Sequence, residues 1–258
     1  MKLSFAKGLT PMHGYSWVTS PIPISMILLI CITGLYLVSR HYAYRPIFSL
    51  LDIALNYIPV LTHEFGHVLF NRLSGGRVRD FVVVATRHER NATGQQGYAV
   101  TASRSRSGHI ITTLGGYLMS PIMFILGLYI QSKGQGALFI MLYVLIFIYF
   151  TWKTSRKAVP LLIIAFLILI GYLGIQSENL TNYSLIYMFV YHFILGTLLG
   201  EIIQSTMTIV QLTFARPQPE WDGTALKMLT KLPTLFFSSL WIIVNFLAIY
   251  YFIQHTLL

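Results

Sequence analysis

Two histidines and a glutamate interrupt an otherwise apolar stretch of the chain. They form the pattern His63-Glu64-Phe65-Gly66-His67, which is HExxH. Residues four apart lie on one face of a helix, so both imidazoles can reach a single ion. Neutral imidazole nitrogens suit Zn²⁺, which in catalytic sites takes three protein ligands and a water, and Glu64 can take a proton from that water. The pattern therefore predicts one Zn²⁺ per chain, with Glu64 as the catalytic base.

Composition determines the surroundings of this pattern. Hydrophobic residues make up 55% of the 258 residues, charged residues only 10%, and the mean hydropathy is +0.66. Several apolar runs reach the length that a helix needs to cross a bilayer. These numbers exclude an ordinary soluble domain and predict an all-α polytopic membrane protein. In such a protein the alternative of two inert, hydrogen-bonded histidines is disfavoured, because ionisable groups in spans are costly and mostly functional.

Seven apolar segments predict about seven transmembrane helices. They cover residues 21–39, 46–70, 109–130, 137–152, 158–175, 183–212 and 233–253. With the N-terminus in the cytoplasm, fifteen of the 18 lysines and arginines fall on the inner side, as the positive-inside rule requires. The net charge of +10 is then explained by contact with the lipid bilayer, and no basic helix or aromatic platform indicates nucleic acid.

The longest polar segment, 71–108, is predicted to be a cytoplasmic loop. Its residues 81–84 and 98–101 are strand-like, and residues 87–97 between them are rich in turn formers. We therefore expect a small cytoplasmic β-hairpin after the HExxH helix. We find no linker or internal repeat, so the chain 1–258 is predicted to be a single membrane-embedded domain.

The third zinc ligand must come from a short list of acidic residues. Asp52, Asp80, Glu89 and Glu178 are each disfavoured by predicted depth, ion pairing or side of the membrane. Asp222, which precedes Gly223 on the predicted cytoplasmic side, is favoured, although it could instead be the N-cap of a helix beginning at Thr224. Glu201 is the rival, because it lies within the sixth apolar segment at a depth that could match the histidines. The sequence favours Asp222 and leaves Glu201 open.

Three segments resemble the site-2 protease class of intramembrane zinc metallopeptidases, in particular its small bacterial members. They are the HExxH stretch, which continues into Gly75-Gly76-Arg77-Val78; the run Gly115-Gly116-Tyr117-Leu118-Met119-Ser120-Pro121; and the run from Trp221-Asp222-Gly223 to Pro233. The resemblance implies a zinc held by two histidines and an aspartate, a short way into the bacterial cytoplasmic membrane from the cytosol. One departure is Glu220-Trp221, which replaces the Leu or Asn-Pro that often precedes the Asp-Gly of the family.

The resemblance also implies a protease whose partner is a membrane-protein substrate with a transmembrane segment. Such a substrate must unwind, and we expect the unwound strand to dock near Gly66, Gly115, Gly116, Pro121 and the hairpin. Helix packing and kinking explain the residues at positions 115, 116 and 121 equally well.

The predicted function is therefore intramembrane zinc endopeptidase. The first alternative is a catalytically silent relative that binds membrane helices as a scaffold or regulator, and Glu64 argues against it. A second is a transporter that uses the cluster as a relay, but the chain lacks the two similar halves that transporters often show.

Overall fold

The computed structural model describes residues 22–176 and 180–256, so Lys2, Lys7 and Glu178 lie outside the described part. Nine helices and two strands lie within these ranges. In chain order they are α1 (Met26–His41), α2 (Pro46–Leu73), β1 (Arg77–Val83), α3 (Arg87–Thr93), β2 (Gly97–Ala102), α4 (Arg106–Ser132), α5 (Gly136–Lys153), α6 (Ala158–Gln176), α7 (Leu180–Phe214), α8 (Asp222–Thr230) and α9 (Thr234–Thr256). The chain is mostly helical, as its composition predicts.

Four helices in the described residues are long and apolar enough to cross a membrane. They are α4, α5, the part Leu185–Phe214 of α7, and α9. The helix α1 and the part Ala158–Leu169 of α6 are apolar but shorter than a full span. The structure thus supports an integral membrane protein and does not confirm seven transmembrane helices.

The helix α2, which carries the HExxH pattern, differs from the other long helices. It has 28 residues and includes Pro59 in its interior. It also buries Asp52 and Asn56, whose polar side chains make it less apolar than a regular span. These polar groups have hydrogen-bond and ion-pair partners inside the protein, which offset the cost of burying them.

The loop 71–108 forms the expected antiparallel hairpin. Arg77 pairs with Ala102 and Val83 with Gly97, with one irregularity between Val78 and Asp80. The predicted turn is instead the short helix α3, which sequence reasoning missed. Thr86 caps its start by accepting a hydrogen bond from the Glu89 N–H at 3.3 Å, and Gly94 ends it with a φ of 68°. The caps at both ends therefore stabilise a short helix over residues whose composition predicts a turn.

The direction of α1 contradicts one part of the predicted topology. Ile22, just before α1, accepts a hydrogen bond from Gln131 at the end of α4 and packs on Gly136 at the start of α5. Ser155, at the other end of α5, bonds to Asp80 in the hairpin. The helix α1 therefore begins at the end of the bundle opposite the hairpin, whereas the charge count placed both on one side. Arg40, one of the few outer charges in that count, is instead paired with Asp52 inside the protein.

Candidate metal centre

His63 and His67 lie on one face of α2, one turn apart. Their Nε2 atoms are 3.2 Å from each other. The Nδ1 atom of His67 donates to the Thr112 carbonyl of α4 at 2.9 Å. This hydrogen bond places the proton on Nδ1 and leaves the lone pair of Nε2 free for a metal.

Asp222 reaches both imidazoles from more than 150 residues away in the chain. Its Oδ2 atom lies 3.6 Å from His63 Nε2 and 3.4 Å from His67 Nε2. It is the first residue of α8 and follows the cap residue Trp221, so it is not the N-cap of that helix. Among the described residues, these three form the one group of His, Cys, Asp and Glu arranged to hold a metal.

The distances among the three ligand atoms fit a zinc ion. Ligands about 2.0–2.2 Å from a tetrahedral zinc are about 3.3–3.6 Å from one another. The three separations, 3.2, 3.4 and 3.6 Å, agree with that spacing. Two imidazoles and one carboxylate are also a donor set that Zn²⁺ accepts.

Gly116 of α4 keeps the space between the two imidazoles open. A Cβ at this position would lie 2.5 Å from His67 Nε2 and 2.6 Å from His63 Nε2. Any side chain there would occupy the volume that a metal bound to both nitrogens needs. The absence of a side chain at residue 116 is therefore part of the site.

Glu64 lies beside the histidines and under the hairpin. It is only 8% exposed, and the backbone N–H of Ala99 in β2 faces its carboxylate. A Cβ on Gly97 would come within 3.1 Å of its Cγ, so β2 passes directly over the glutamate. The carboxylate can therefore exchange a proton with a group bound between β2 and the histidines.

Glu64 and His63 line a cavity of about 220 Å³ that is partly polar. The same cavity is lined by Gly97, Tyr117 and Glu201. The Tyr117 ring meets the His63 ring edge-on, with centroids 4.8 Å apart. Its hydroxyl has no hydrogen-bond partner in the described part of the chain.

An aromatic cluster, formed by Tyr117, Trp221 and Trp241, holds α8 against α4. Ring centroids in this cluster are 4.8–5.9 Å apart. Trp221, which departs from the pattern of the family, immediately precedes Asp222 and so helps to position it. Arg106 of α4 adds a second attachment by donating to the Leu229 carbonyl of α8. Sequence reasoning missed this cluster, because its members come from three distant segments.

Glu201 lies elsewhere in the same cavity. Its Oε2 atom is 2.5 Å from the Tyr36 hydroxyl, and it is not part of the group that could hold a metal. The other acidic residues that the sequence disfavoured have separate partners. Asp52 pairs with Arg90 at 2.7 Å, and Glu89 pairs with Arg156 at 2.8 Å.

The residues expected to contact substrate occupy two kinds of position. A Cβ on Gly66 would overlap the Gly115 carbonyl, and one on Gly115 would lie 2.6 Å from the Gly66 carbonyl, so both allow α2 and α4 to approach closely. Pro121 is buried inside α4, five residues beyond Gly116. Their predicted contact with a substrate stays a prediction.

Comparison with known proteins identifies a family. A family model described as Peptidase M50B-like matches residues 27–252, a range that includes every residue of the site. No curated protein matches the chain significantly, and neither does any solved structure.

Proposed function

The chain belongs to the Peptidase M50B-like family, a site-2 protease family, and we propose that it is an intramembrane zinc endopeptidase. Its substrates are membrane proteins, which it cleaves in or next to a transmembrane segment. One observation carries the proposal: the ligand atoms of His63, His67 and Asp222 are spaced as zinc ligands, directly beside the carboxylate of Glu64.

In this proposal His63 and His67 bind one Zn²⁺ through Nε2, and Asp222 binds it through a carboxylate oxygen. The Thr112 carbonyl keeps His67 in the required tautomer. When bound, zinc would acidify a water molecule and polarise the carbonyl of the peptide bond to be cleaved. Its binding sphere would be completed by water or substrate, because the protein offers three ligands.

Glu64 serves as the general base and then as the general acid. It accepts a proton from the attacking water and passes it to the nitrogen of the leaving amine. The Ala99 N–H of β2 faces its carboxylate. Tyr117 also lines the cavity, and its hydroxyl, which has no partner among the described residues, can donate a hydrogen bond to the substrate carbonyl oxygen.

A substrate must leave the helical state before its peptide bond can reach this site, because backbone hydrogen bonds shield a helix. The strand β2 passes over Glu64, so an unwound segment can lie along it by strand addition. We assign the glycines 66, 115 and 116 and Pro121 to the surroundings of that segment. The close α2–α4 contact gives the first two glycines a packing role as well.

We further propose that the protein is a single domain in the bacterial cytoplasmic membrane, with its active site toward the cytoplasm. The hairpin, the α5–α6 turn and α8 share one end of the helix bundle, as their contacts show. This end also contains most of the arginines of the loop 71–108, which suits the cytoplasmic face.

Zinc content, measured by elemental mass spectrometry on detergent-purified protein, tests the proposal. We expect about one zinc per chain in the wild type and in Glu201→Ala, and loss of zinc in His67→Ala and Asp222→Ala. Each variant is first checked for folding by its thermal transition. Well-folded wild type that binds no zinc when metal is supplied would contradict the proposal and favour the silent scaffold.

Glu64→Gln separates the protease from the scaffold. It should keep zinc, because residue 64 is not a ligand, and slow cleavage of a reconstituted single-span substrate by about 10²–10⁴-fold. A scaffold would keep all its function in this variant.

A further inference from the structure

Glu201 is a carboxyl group inside the apolar helix α7 that the proposed chemistry does not use. It lines the cavity that also contains Glu64 and His63. One of its oxygens, Oε2, contacts the Tyr36 hydroxyl at 2.5 Å. Within the described residues its other oxygen, Oε1, has no hydrogen-bond partner. Carboxyl groups are costly in a membrane span, so this one calls for an explanation.

A chain of hydrogen bonds connects α3, in the hairpin, with Glu201 through the interior of the protein. Its first acceptor is Asp52, whose Oδ2 accepts from Arg90 of α3 at 2.7 Å and lies 3.5 Å from Arg40. Both arginines face the same carboxyl oxygen of Asp52, which is therefore an acceptor. Its Oδ1 accepts from the Asn56 Nδ2 at 3.1 Å. Both Asp52 and Asn56 are almost fully buried, so water cannot replace these partners.

The carboxylate of Asp52 determines the direction of every later bond. The Asn56 amide must turn its NH₂ group toward Asp52, because the reverse orientation would place two acceptor oxygens in contact. Its Oδ1 then faces the Tyr36 hydroxyl at 2.8 Å and can only accept. Tyr36 therefore uses its single proton on Asn56.

The remaining contact needs a second proton. Tyr36 has none left for Glu201, yet the two oxygens are 2.5 Å apart. Both contacts of Tyr36 are hydrogen bonds at once only if the carboxyl group of Glu201 supplies this proton and donates to the Tyr36 oxygen as a neutral acid. Arg40 also lines the cavity, but it is engaged by Asp52 and by the side-chain oxygen of Gln96.

We propose that Glu201 is a substrate-positioning residue, held as a neutral acid by this chain, whose free oxygen accepts a hydrogen bond from a backbone N–H of the unwound substrate. An unwound backbone in a membrane must find hydrogen-bond partners, and a neutral acceptor meets that need. A second carboxylate near Glu64 would instead repel it in a medium of low dielectric constant. The contact with substrate rests on the proposed function, whereas the neutral state of Glu201 does not.

Infrared spectroscopy of the zinc-loaded, reconstituted protein near neutral pH tests the neutral state. The difference spectrum between wild type and Glu201→Gln should contain the C=O stretch of a protonated carboxyl group. Tyr36→Phe should shift that band, because it removes the acceptor of the Glu201 proton. Tyr143→Phe is the matched control, since its hydroxyl bonds to Thr62 instead, and it should leave the band unmoved. A difference spectrum with carboxylate bands alone, or a band that Tyr36→Phe does not move, overturns the inference.

Cleavage of a reconstituted single-span peptide tests the substrate contact. Glu201→Leu removes the acceptor and should lower kcat/KM about tenfold with zinc content unchanged, the effect of one hydrogen bond. Glu201→Gln keeps a neutral acceptor oxygen and should lose less than Glu201→Leu. Equal losses in the two variants, or no loss in Glu201→Leu, would overturn the proposal. A wild type that binds zinc but cleaves nothing contradicts the proposed function instead, and the infrared result still stands.

Discussion

His67 illustrates how one backbone carbonyl can determine what a side chain does. Its Nδ1 atom donates to the Thr112 carbonyl, so Nε2 faces His63 and Asp222 with a lone pair. A histidine whose Nδ1 lacked such a partner could adopt either tautomer and would bind a metal less firmly. The position of Thr112 in α4 therefore contributes to the site without supplying a ligand.

At the residue scale we predict that Gly116→Ala abolishes zinc binding. The added Cβ would lie 2.5–2.6 Å from both Nε2 atoms and would fill the space for the ion. Zinc content of the purified variant measures the effect. Gly34→Ala is the control, because a Cβ at that position of α1 meets nothing within 4 Å and should leave the zinc content at the wild-type level. Full zinc occupancy in a folded Gly116→Ala protein would show that the metal does not lie between these imidazoles.

At the element scale, the hairpin is attached to the helices by Asp80. Its Oδ1 accepts from the Ser155 N–H at 2.9 Å and from the Phe81 N–H at 2.7 Å, and its Oδ2 accepts from the Ser155 hydroxyl at 2.7 Å. Burial alone would raise the pKa of Asp80, but these hydrogen bonds outweigh it and hold the pKa below its ordinary value of 3.8. The carboxylate therefore connects β1 to the turn between α5 and α6.

We predict that acid loosens the hairpin through this residue. Because the pKa of Asp80 is lower in the folded protein, its contribution to stability is fully present above about pH 4 and is lost as the pH falls through the folded-state pKa. Hydrogen exchange of the β1 amides, corrected for intrinsic rates, should therefore speed up in that range. In Asp80→Asn the same amides should exchange faster at neutral pH and depend less on acid. An identical acid dependence in both proteins would assign the effect to another group.

At the scale of the whole molecule, the site is assembled at one end of the helix bundle. The hairpin bonds to the α5–α6 turn through Asp80 and Ser155, and Arg106 at the start of α4 bonds to α8. The opposite end contains Ile22 and Gln131, which bond to each other. With this arrangement, we expect the site to be reached from one face of the membrane only.

This arrangement predicts which positions a membrane-impermeant thiol reagent reaches from each side. In a Cys31→Ser background, single cysteines at His88 and Glu220 should react from the cytoplasmic face. Cysteines at Lys133 and Gln254 should react only from the opposite face. Labelling of intact cells and of inverted vesicles measures both, and reaction of all four positions from one side would contradict the arrangement.

Local features of the sequence allow a large part of this structure to be predicted. Helical periodicity places His63 and His67 on one face, apolar runs indicate helices long enough to cross a membrane, and two strand-like runs indicate the hairpin. Each of these features depends only on residues that are near neighbours in the chain. The seven-span count and the starting side of α1 could not be derived in this way. Partly buried charges such as Arg40 belong to ion pairs within the protein, and composition alone cannot distinguish these from charges at the membrane surface.

The positions of Asp222 and Glu201 show what depends only on the tertiary structure. Both residues are acidic and lie on the correct part of the chain, and nothing local to either indicates which one reaches the histidines. The aromatic packing of Trp221 on Tyr117 and Trp241 brings Asp222 to the imidazoles. Glu201 instead contacts the Tyr36 hydroxyl. The contacts of Trp221 with Tyr117 and of Tyr36 with Glu201 join residues more than 100 positions apart. They therefore depend on how whole helices pack and are absent from any local pattern.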